Sequence, residues 1–438
     1  AFIAALGVVL VVSGCAPAAT APERRPAEES AAPVGSEPTT PPARTPASAA
    51  MPPGVVLAAS RIGRDLEPGA TVQELAALAE SNAKFGLDLF RQLGKENPGN
   101  LVLSPHSVSV VLAMTYAGAR GETARQMADT LHLRLPDERV QAGFNALDLT
   151  LDSRNREGLE LQIANQTWAA LGQSFEEAFL DTLGRDYGAP MAMVDFAGEP
   201  EAARRAINQW GSDQTRGRVE EVFPPGAISA NTRLALVNAV YLLAKWKYRL
   251  DPVEEGRFTL LDGSKVKVPM MGYGLYLPST YTDDYQAVEL PYTGDQLSMV
   301  IIVPTDLEAF EESLDAARLQ VVLDGIVEGG IHLTMPSFTL EGHQSLKEPL
   351  IALGMRDAFR DADFSGMTGD RSLFIDAVEH GTFIQVNEEG TEAAALSGVA
   401  MALSHGPTVD VNRPFLFLIR DRITGAVLFL GRVVDPRG

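Results

Sequence analysis

The sequence predicts an α+β fold, with helices early in the chain and strands scattered through its later part. An apolar stripe at helical spacing occupies residues 75–93. Largely apolar runs that suit buried strands follow at residues 234–243, 297–303 and 427–430. There is no internal repeat, and strands do not alternate with helices as in repeated βαβ units. Segregated helices and sheets are therefore the expected arrangement.

The first helix is predicted from the spacing of its apolar residues, which collect on one face of a helix with 3.6 residues per turn. The stripe consists of Leu75, Leu78, Ala79, Asn82, Phe85, Leu89 and Leu93. A second helix is predicted to begin at Pro105, because proline suits the first helical position. Ser104, directly before it, is the expected capping residue.

One strand is predicted from alternation rather than from a continuous apolar run. Residues 331–340 alternate between apolar and polar side chains, which indicates a strand with one buried face. Pro336 lies inside this pattern, and a proline cannot donate to the ladder of a sheet. The segment is therefore predicted to be a strand that bends.

The front of the chain differs in composition from the rest. Residues 2–12 form an apolar run too short to span a bilayer, and Ser13, Gly14 and Cys15 follow it. Small residues before a cysteine at the end of such a run resemble a bacterial lipoprotein signal. We therefore expect residues 1–15 to be a signal-peptide remnant and Cys15 to be lipidated. The protein would then be extracytoplasmic, either anchored to the bacterial cell envelope through lipid or secreted.

Residues 16–70 are predicted to be a spacer. They are rich in Ala, Pro, Glu, Thr and Ser, and they contain no aromatic residue. Such a segment buries too little apolar surface to offset the entropy of ordering it. Residues 54–60, a short apolar patch, leave open a stray strand or a docking segment. Since Cys15 is the only cysteine, no disulfide can form within one molecule.

Charge and missing motifs exclude several classes of function. The net charge of −21 argues against nucleic acid or other polyanions as partners. None of the six histidines belongs to a His-Glu-x-x-His zinc motif, and no phosphate-binding loop ending in Gly-Lys-Ser/Thr occurs. Gly172-Gln173-Ser174 lacks the second glycine of a nucleophile elbow. We therefore expect no enzymatic activity, no cofactor and no metal.

Near the C-terminus, Gly390 is followed by small residues and then by a long, mostly uncharged segment, residues 396–412. Connections of this length are usually functional or disordered. Side chains would alternate between two faces if this loop became a strand. One face would carry Thr391, Ala393, Ala395, Ser397 and Val399, and the other Glu392, Ala394, Leu396 and Gly398. The first face is small and uncharged, so it could slide onto a packed core.

Several segments, in order and spacing, resemble one known family. They are NLVLSPHSVSVVLAMTYAGARGETARQM at 100–127, LQIANQTW at 161–168, LVNAVY at 236–241, LSMVIIVP at 297–304, NEEGTEAAA at 387–395, RPFLF at 413–417 and VLFLGRV at 427–433. Over residues 71–438 the chain resembles the serpins, a family of protease inhibitors. The resemblance implies a serpin domain with three β-sheets, eight or nine helices and an exposed reactive-centre loop. Its central sheet would have five strands and could take a sixth.

The resemblance also implies roles for individual residues. The hinge of the loop would be Glu388, Gly390, Thr391, Glu392, Ala393, Ala394 and Ala395. The shutter, a hydrogen-bonded cluster that controls opening of the sheet, would be Ser104, Ser107, Asn238 and His380. Trp246 would mark the breach, where the loop first enters the sheet. The chain departs from the family at Arg249, Leu250, Glu255 and Leu396, where a proline, an aromatic, a threonine and a smaller residue are usual.

The implied function is suicide inhibition of a serine protease. The protease would be the partner and would be trapped as a covalent acyl complex, and the inhibitor itself would be a monomer. Family spacing places the cleaved bond after Leu403 or after Ser404, before His405. Leucine suits a chymotrypsin-like slot and serine an elastase-like one, and subtilisin-like enzymes also remain candidates. No Lys or Arg occurs in residues 401–411, so trypsin-like enzymes should be poor targets. The alternative is a non-inhibitory serpin that acts as a protease substrate, binding module or chaperone.

Overall fold

Ten α-helices and seventeen β-strands lie in residues 51–391 and 407–438, which are the residues that this computed structural model describes. The helices are α1 Val72–Glu96, α2 Pro105–Tyr116, α3 Gly121–Thr130, α4 Asp137–Asp152, α5 Glu177–Thr182, α6 Pro200–Gln214, α7 Leu307–Ser313, α8 Ala316–Gly325, α9 Lys347–Ala352 and α10 Ser365–Thr368. Helix α5 continues into a π-helical turn at Leu183–Tyr187, and a 3-10 turn lies at Asp357–Phe359.

The strands form three sheets. They are β1 Val56–Ala58, β2 Leu101–Leu103, β3 Leu159–Ala170, β4 Met191–Val194, β5 Leu234–Lys245, β6 Asp251–Thr259, β7 Lys265–Tyr276, β8 Ser279–Tyr281, β9 Tyr285–Pro291, β10 Leu297–Pro304, β11 Gly330–Pro336, β12 Phe338–Ser345, β13 Ala377–Asn387, β14 Gly390–Thr391, β15 Thr408–Asp410, β16 Phe415–Asp421 and β17 Val427–Val433. The central sheet has the order β1-β4-β3-β5-β14-β13-β12. A six-stranded sheet follows the order β2-β17-β16-β10-β9-β8, and a four-stranded sheet the order β15-β11-β7-β6.

The predicted α+β class and the three-sheet arrangement are confirmed. The central sheet has the expected five strands once the two short additions, β1 and β14, are set aside. The helices exceed the expected eight or nine because several are very short; α10, for example, has four residues.

Both predicted early helices form for the expected local reasons. Helix α1 begins with a capping box, in which Thr71 Oγ1 accepts from the Glu74 N–H and the Glu74 carboxylate accepts from the Thr71 N–H. Its apolar stripe is buried except for the half-buried Leu75, and the polar member Asn82 accepts a hydrogen bond from the Val427 N–H at 3.2 Å. Helix α2 begins at Pro105, and Ser104 Oγ accepts from the Ser107 N–H at 3.4 Å. Helix α2 is buried along its whole length.

The central sheet is covered on both faces, since alternate residues of β5 join two different clusters. Leu236 and Val240 face the large core shared with the six-stranded sheet and helices α1 and α2. Ala235 and Val237 face a smaller cluster beneath α6. There Trp210 of α6 packs edge-on against Trp168 of β3, with ring centroids 5.9 Å apart. Any strand added to this sheet must therefore present one face to the main core and the other to the α6 side.

The predicted bending strand at residues 331–340 is two strands in different sheets. Strand β11 ends at Pro336 and pairs with β7, whereas β12 begins at Phe338 and pairs with β13. Ser337 between them donates its N–H to the Pro269 carbonyl at 3.1 Å. The proline ends one ladder, and the next residues join another without an intervening turn.

Residues 51–70 belong to the folded body, although composition placed them in the spacer. Strand β1 pairs antiparallel with β4 at the edge of the central sheet, which settles the open question at residues 54–60 in favour of a strand. Residues 51–67, termed here the N-terminal strap, continue past the edge. Arg64 in the strap donates to Asn145 at 2.9 Å and to Asp148 at 2.5 Å, both on α4. Strand pairing, these polar contacts and the packing of Met51 and Val55 against the smaller cluster together order this segment.

Candidate functional site

The candidate site is the seam between β5 and β13 in the central sheet. These strands pair in parallel over seven residue pairs, from Ala377 opposite Ala235 to Phe383 opposite Tyr241. Beyond Phe383 they diverge, and β14 lies between them, antiparallel to both. Gly390 is opposite Lys245 and Asn387, and Thr391 is opposite Ala244 and Val386. The upper end of the seam therefore already holds two residues of the predicted hinge.

Glycine is required at position 390. The backbone there has φ +149°, a conformation that residues with a side chain rarely adopt. A Cβ atom at this position would lie 2.0 Å from the carbonyl oxygen of Ala244. Gly390 thus permits the chain to turn back and approach β5 closely, so that Thr391 is fully buried.

The four predicted shutter residues meet below this point. Asn238 of β5 is opposite His380 of β13 across the seam. The backbone N–H of Ser104 donates to Nε2 of His380 at 2.9 Å. Nδ1 of that ring therefore carries the proton and donates to Oδ1 of Asn238. The amide Nδ2 of Asn238 in turn donates to the Ser107 hydroxyl.

Burial controls the protonation of this cluster. Loss of solvation, with a smaller contribution from the nearby His343, lowers the pKa of His380 to about 3. The ring is therefore neutral at physiological pH, which suits a nitrogen that accepts from Ser104. Asn165 of β3 also joins the cluster by accepting from Asn238 Nδ2 at 2.5 Å. Sequence reasoning missed this residue, although its polar side chain inside a strand-like segment was a usable signal.

The predicted breach residue Trp246 contacts the turn that leads into β14. Residues 387–389 are termed here the hinge turn. The indole Nε1 of Trp246 donates to the Asn387 carbonyl at 2.9 Å, and its backbone N–H donates to the Glu389 carbonyl at 2.9 Å. The Leu250 N–H donates to the Glu388 carbonyl at 3.0 Å. One short segment, residues 246–250, thus binds all three carbonyls of the hinge turn.

Tyr292 links Trp246 to the hinge. Its ring stacks on Trp246 with centroids 4.6 Å apart and planes 7° from parallel. Its hydroxyl lies 2.7 Å from Oγ1 of Thr391, inside the protein. Burial raises the pKa of Tyr292 well above its ordinary value, whereas the hydrogen bond with Thr391 opposes the shift. The local sequence around Tyr292 gave no sign of this contact.

Three of the positions that depart from the family have defined contacts. Arg249 places Nε 2.9 Å from a carboxylate oxygen of Glu389, in the hinge turn. Leu250 is fully buried. Glu255 forms an exposed ion pair with Lys267 on the four-stranded sheet. Of the three, Arg249 is the one whose side chain forms an ion pair with the hinge turn.

The remaining predicted site residues lie outside the described part of the chain. They are the hinge residues Glu392, Ala393, Ala394 and Ala395, the reactive-bond residues Leu403, Ser404 and His405, the departure Leu396, and the lipidation residue Cys15. Within residues 51–391 and 407–438, no cluster of three or more His, Cys, Asp or Glu side chains could hold a metal ion. No helix in those ranges is long and apolar enough to cross a membrane.

This fold and seam define an α+β protein whose central sheet is extended by two residues of its own loop. Comparisons with known proteins agree with that class. A family model described as serpin (serine protease inhibitor) matches residues 80–436. The chain belongs to the serpin family.

The relatives span a wide range of organisms. The human leukocyte elastase inhibitor is 36% identical over 378 residues, which cover 82% of this chain and 99% of that protein. An uncharacterised serpin-like protein of Thermococcus kodakarensis is also 36% identical, over 363 residues that cover 81% of this chain and 84% of the relative.

Solved structures of serpins have the same fold. Human thyroxine-binding globulin in complex with its ligand matches with a TM-score of 0.77 at 28% identity, covering 83% of this chain and all of that one (100%). The thermophilic serpin tengpin in its native state matches with a TM-score of 0.76 at 27% identity, covering 86% of this chain and 97% of that one.

Proposed function

We propose that this protein inhibits a chymotrypsin-, elastase- or subtilisin-like serine protease by inserting its own cleaved loop into the central sheet. The observation that carries the proposal is β14, since Gly390 and Thr391 already pair with both strands of the seam. The residues that follow them in sequence have the small, uncharged face that further insertion needs. Relatives named leukocyte elastase inhibitor support an inhibitory role and an elastase-like target.

The register of β14 fixes where each later residue would go. Because Thr391 is opposite Ala244 and Val386, Ala393 would lie between Leu242 and Ile384 if the same register continued. Ala395 would then lie between Val240 and Thr382, and Ser397 between Asn238 and His380. All six of these partner residues are buried. The small face of the loop would therefore meet the main core, and Ser397 would separate the two central shutter residues.

Insertion changes the pairing of the sheet in a favourable direction. At present β5 and β13 are joined by a single parallel ladder. A strand that is antiparallel to both would replace this ladder with two antiparallel ones, and antiparallel pairing is slightly more stable per residue. Each added backbone hydrogen bond contributes roughly 1 kcal/mol net.

The chemistry requires only the protease's own mechanism. The protease serine attacks the scissile carbonyl carbon of the loop, the C–N bond breaks, and the new amine stays on the C-terminal fragment. The protease is then held as an ester on the loop residue before the cut. Insertion carries that ester along the seam before water hydrolyses it, so the enzyme remains attached.

The test is incubation with pancreatic elastase, chymotrypsin, subtilisin and trypsin, followed by denaturing electrophoresis. A band at the summed mass with at least one of the first three enzymes is expected. Cleavage by all of them without a stable adduct would refute inhibition and leave the non-inhibitory alternative. Thyroxine-binding globulin, whose structure was solved in complex with its ligand, is a related protein with a binding role.

The predicted anchor belongs to the same proposal, because an inhibitor tethered through lipid on Cys15 would act at a membrane surface. One acyl chain binds membranes only marginally, so stable attachment needs more than one. Expression of the gene with its full signal, with Cys15 or with Cys15→Ser, should give membrane-bound and released protein respectively. Identical fractionation of the two forms would contradict the anchor without touching the inhibition proposal.

A further inference from the structure

The hinge turn contacts the body of the protein through two kinds of bond. Its carbonyls accept from the backbone and indole N–H groups of residues 246–250. The two backbone bonds depend mainly on the path of the chain, and the third needs the indole of Trp246. The contact of Glu389 with Arg249 is different, because it joins two side chains. Among the described residues of the hinge turn, Glu389 is the one whose side chain forms an ion pair.

The setting of this ion pair gives it more weight than a typical surface pair. The Glu389 side chain is only 15% exposed, whereas that of Arg249 is 39% exposed. Partial shelter lowers the effective dielectric constant between the charges, so their attraction is less screened than on an open surface. The planar guanidinium also fixes the direction of the contact.

Glu389 directly precedes Gly390, the residue with φ +149° at which the chain turns into the seam. Glycine leaves that pivot free to adopt other conformations. Whatever holds Glu389 in place therefore limits how far β14 can swing out of the seam. On the far side of the pivot, the Thr391 hydroxyl meets Tyr292. The pivot is thus held at both ends.

From these contacts we infer that Arg249 is a positioning residue for inhibition, which keeps the hinge seated in the seam so that insertion starts from an existing pair of residues. This inference rests on the proposed function. A loop that must first find the seam loses conformational entropy before it gains any pairing. When the hinge already lies in the seam, this loss of conformational entropy has taken place before cleavage. Arg249 therefore favours trapping of the protease over the competing outcome, in which the acyl group is hydrolysed and the protease leaves a cleaved inhibitor behind.

The kinetic signature separates this role from general stability. Arg249→Ala should raise the number of inhibitor molecules consumed per trapped protease by about three-fold, the size expected for loss of a partly exposed ion pair. The rate constant for first cleavage of the loop should change less, because the scissile segment is distant in sequence. Arg249→Glu, which places a like charge beside Glu389, should have a larger effect. The exchange Arg249→Glu with Glu389→Arg should restore trapping.

The matched control is Arg125→Ala on α3, which also removes ion pairs of an arginine, here with Glu122 and Asp129. It should leave the consumption ratio unchanged. Melting temperatures of the intact proteins verify that every variant folds. If Arg249→Ala and Arg249→Glu match the wild type in consumption ratio, the inference is wrong.

A second readout needs no protease. A synthetic peptide of residues 391–403 should compete with β14 for the seam, and native electrophoresis can follow its uptake. Uptake should be faster in Arg249→Ala, because a less firmly seated hinge leaves the seam more often. Equal uptake rates in the variant and the wild type would also overturn the inference. If the wild type traps none of the proteases but the variant takes up peptide faster, the proposed function fails and the role of Arg249 in seating the hinge stands.

Discussion

Replacement of Thr391 by arginine should convert the inhibitor into a substrate. Thr391 is fully buried, and its neighbours across β14 are the apolar residues Ala244 and Val386. Its hydroxyl contacts the Tyr292 hydroxyl at 2.7 Å. An uncompensated charge at a buried site costs roughly 3–5 kcal/mol. A penalty of about 3 kcal/mol corresponds to a slowing of insertion by about two orders of magnitude.

The assay compares two rates for the same protein. Cleavage of the loop should proceed at the wild-type rate, because the protease still recognises the scissile segment. The yield of gel-stable complex should fall almost to zero, since water then releases the acyl group before the loop inserts. Thr391→Val is the control, because it keeps the size and branching and removes only the hydroxyl, so most trapping should persist. Equal stoichiometry of inhibition in Thr391→Arg and the wild type would refute the assignment of this face to the core.

Three further outcomes are expected. Cleavage of the loop should raise the melting temperature by about 10 °C. The reason is that ~8 inserted residues would each add roughly 1 kcal/mol of stability, which corresponds to a shift of this size in a chain of this length. An unchanged melting temperature would mean that no insertion occurs. The free energy of unfolding should fall as pH drops below about 6.5, since burial lowers the pKa of His106 to about 4 and that of His380 to about 3. The unfolded chain then binds protons that the folded state excludes, so each of the two histidines should lower the free energy of unfolding by about 2 kcal/mol at pH 5. Urea-denaturation midpoints that do not change between pH 7 and pH 5 would contradict this. Mass spectrometry of the C-terminal peptide released from the complex should find Ser404 as its first residue, whereas His405 would move the cut by one position and strong inhibition of trypsin would overturn the specificity argument.

His343 modifies the pH prediction in the opposite direction. Its hydrogen bond with the Glu379 carboxylate is the largest cause that raises its pKa, and burial opposes the shift. A raised pKa in the folded state contributes stability below pH 6.5 that is lost as pH rises through the folded value. Replacing His343 with glutamine should therefore steepen the loss of stability on acidification.

Local signals in the sequence were sufficient for much of the fold. The stripe in α1 and the Ser104-Pro105 pair at the start of α2 specify helices through residues that are close together in sequence. A local sequence pattern is therefore enough to predict them. The apolar runs at β5, β10 and β17 likewise predicted buried strands. The split between β11 and β12 could not be predicted, because which sheet a strand joins depends on partners far away in the chain.

The candidate site likewise contains residues that the sequence could identify and contacts that it could not. Family resemblance selected the four shutter residues and Trp246, and the structure brings them to the seam and its upper end. The pairing of Arg249 with Glu389 and that of Tyr292 with Thr391 join residues separated by about a hundred positions or more. No local pattern specifies such contacts. The strap escaped prediction for a related reason, since its order comes from partners on α4 and β4 rather than from its own composition.

The strap also determines where mechanical load would enter the body. Tension transmitted from residues ahead of position 51 would first reach Met51 and Val55, which pack against the smaller cluster, and then β1, whose three residue pairs with β4 lie at the sheet edge. Beyond β1 the chain is held by Ser60, whose hydroxyl donates to Asp181 of α5, and then by Arg64, which donates to two acceptors on α4. Only beyond it does the chain enter α1, the first helix of the main core. A pulling force on the front of the chain would therefore act on the contacts of the strap first, before it reached the seam on the other side of β3.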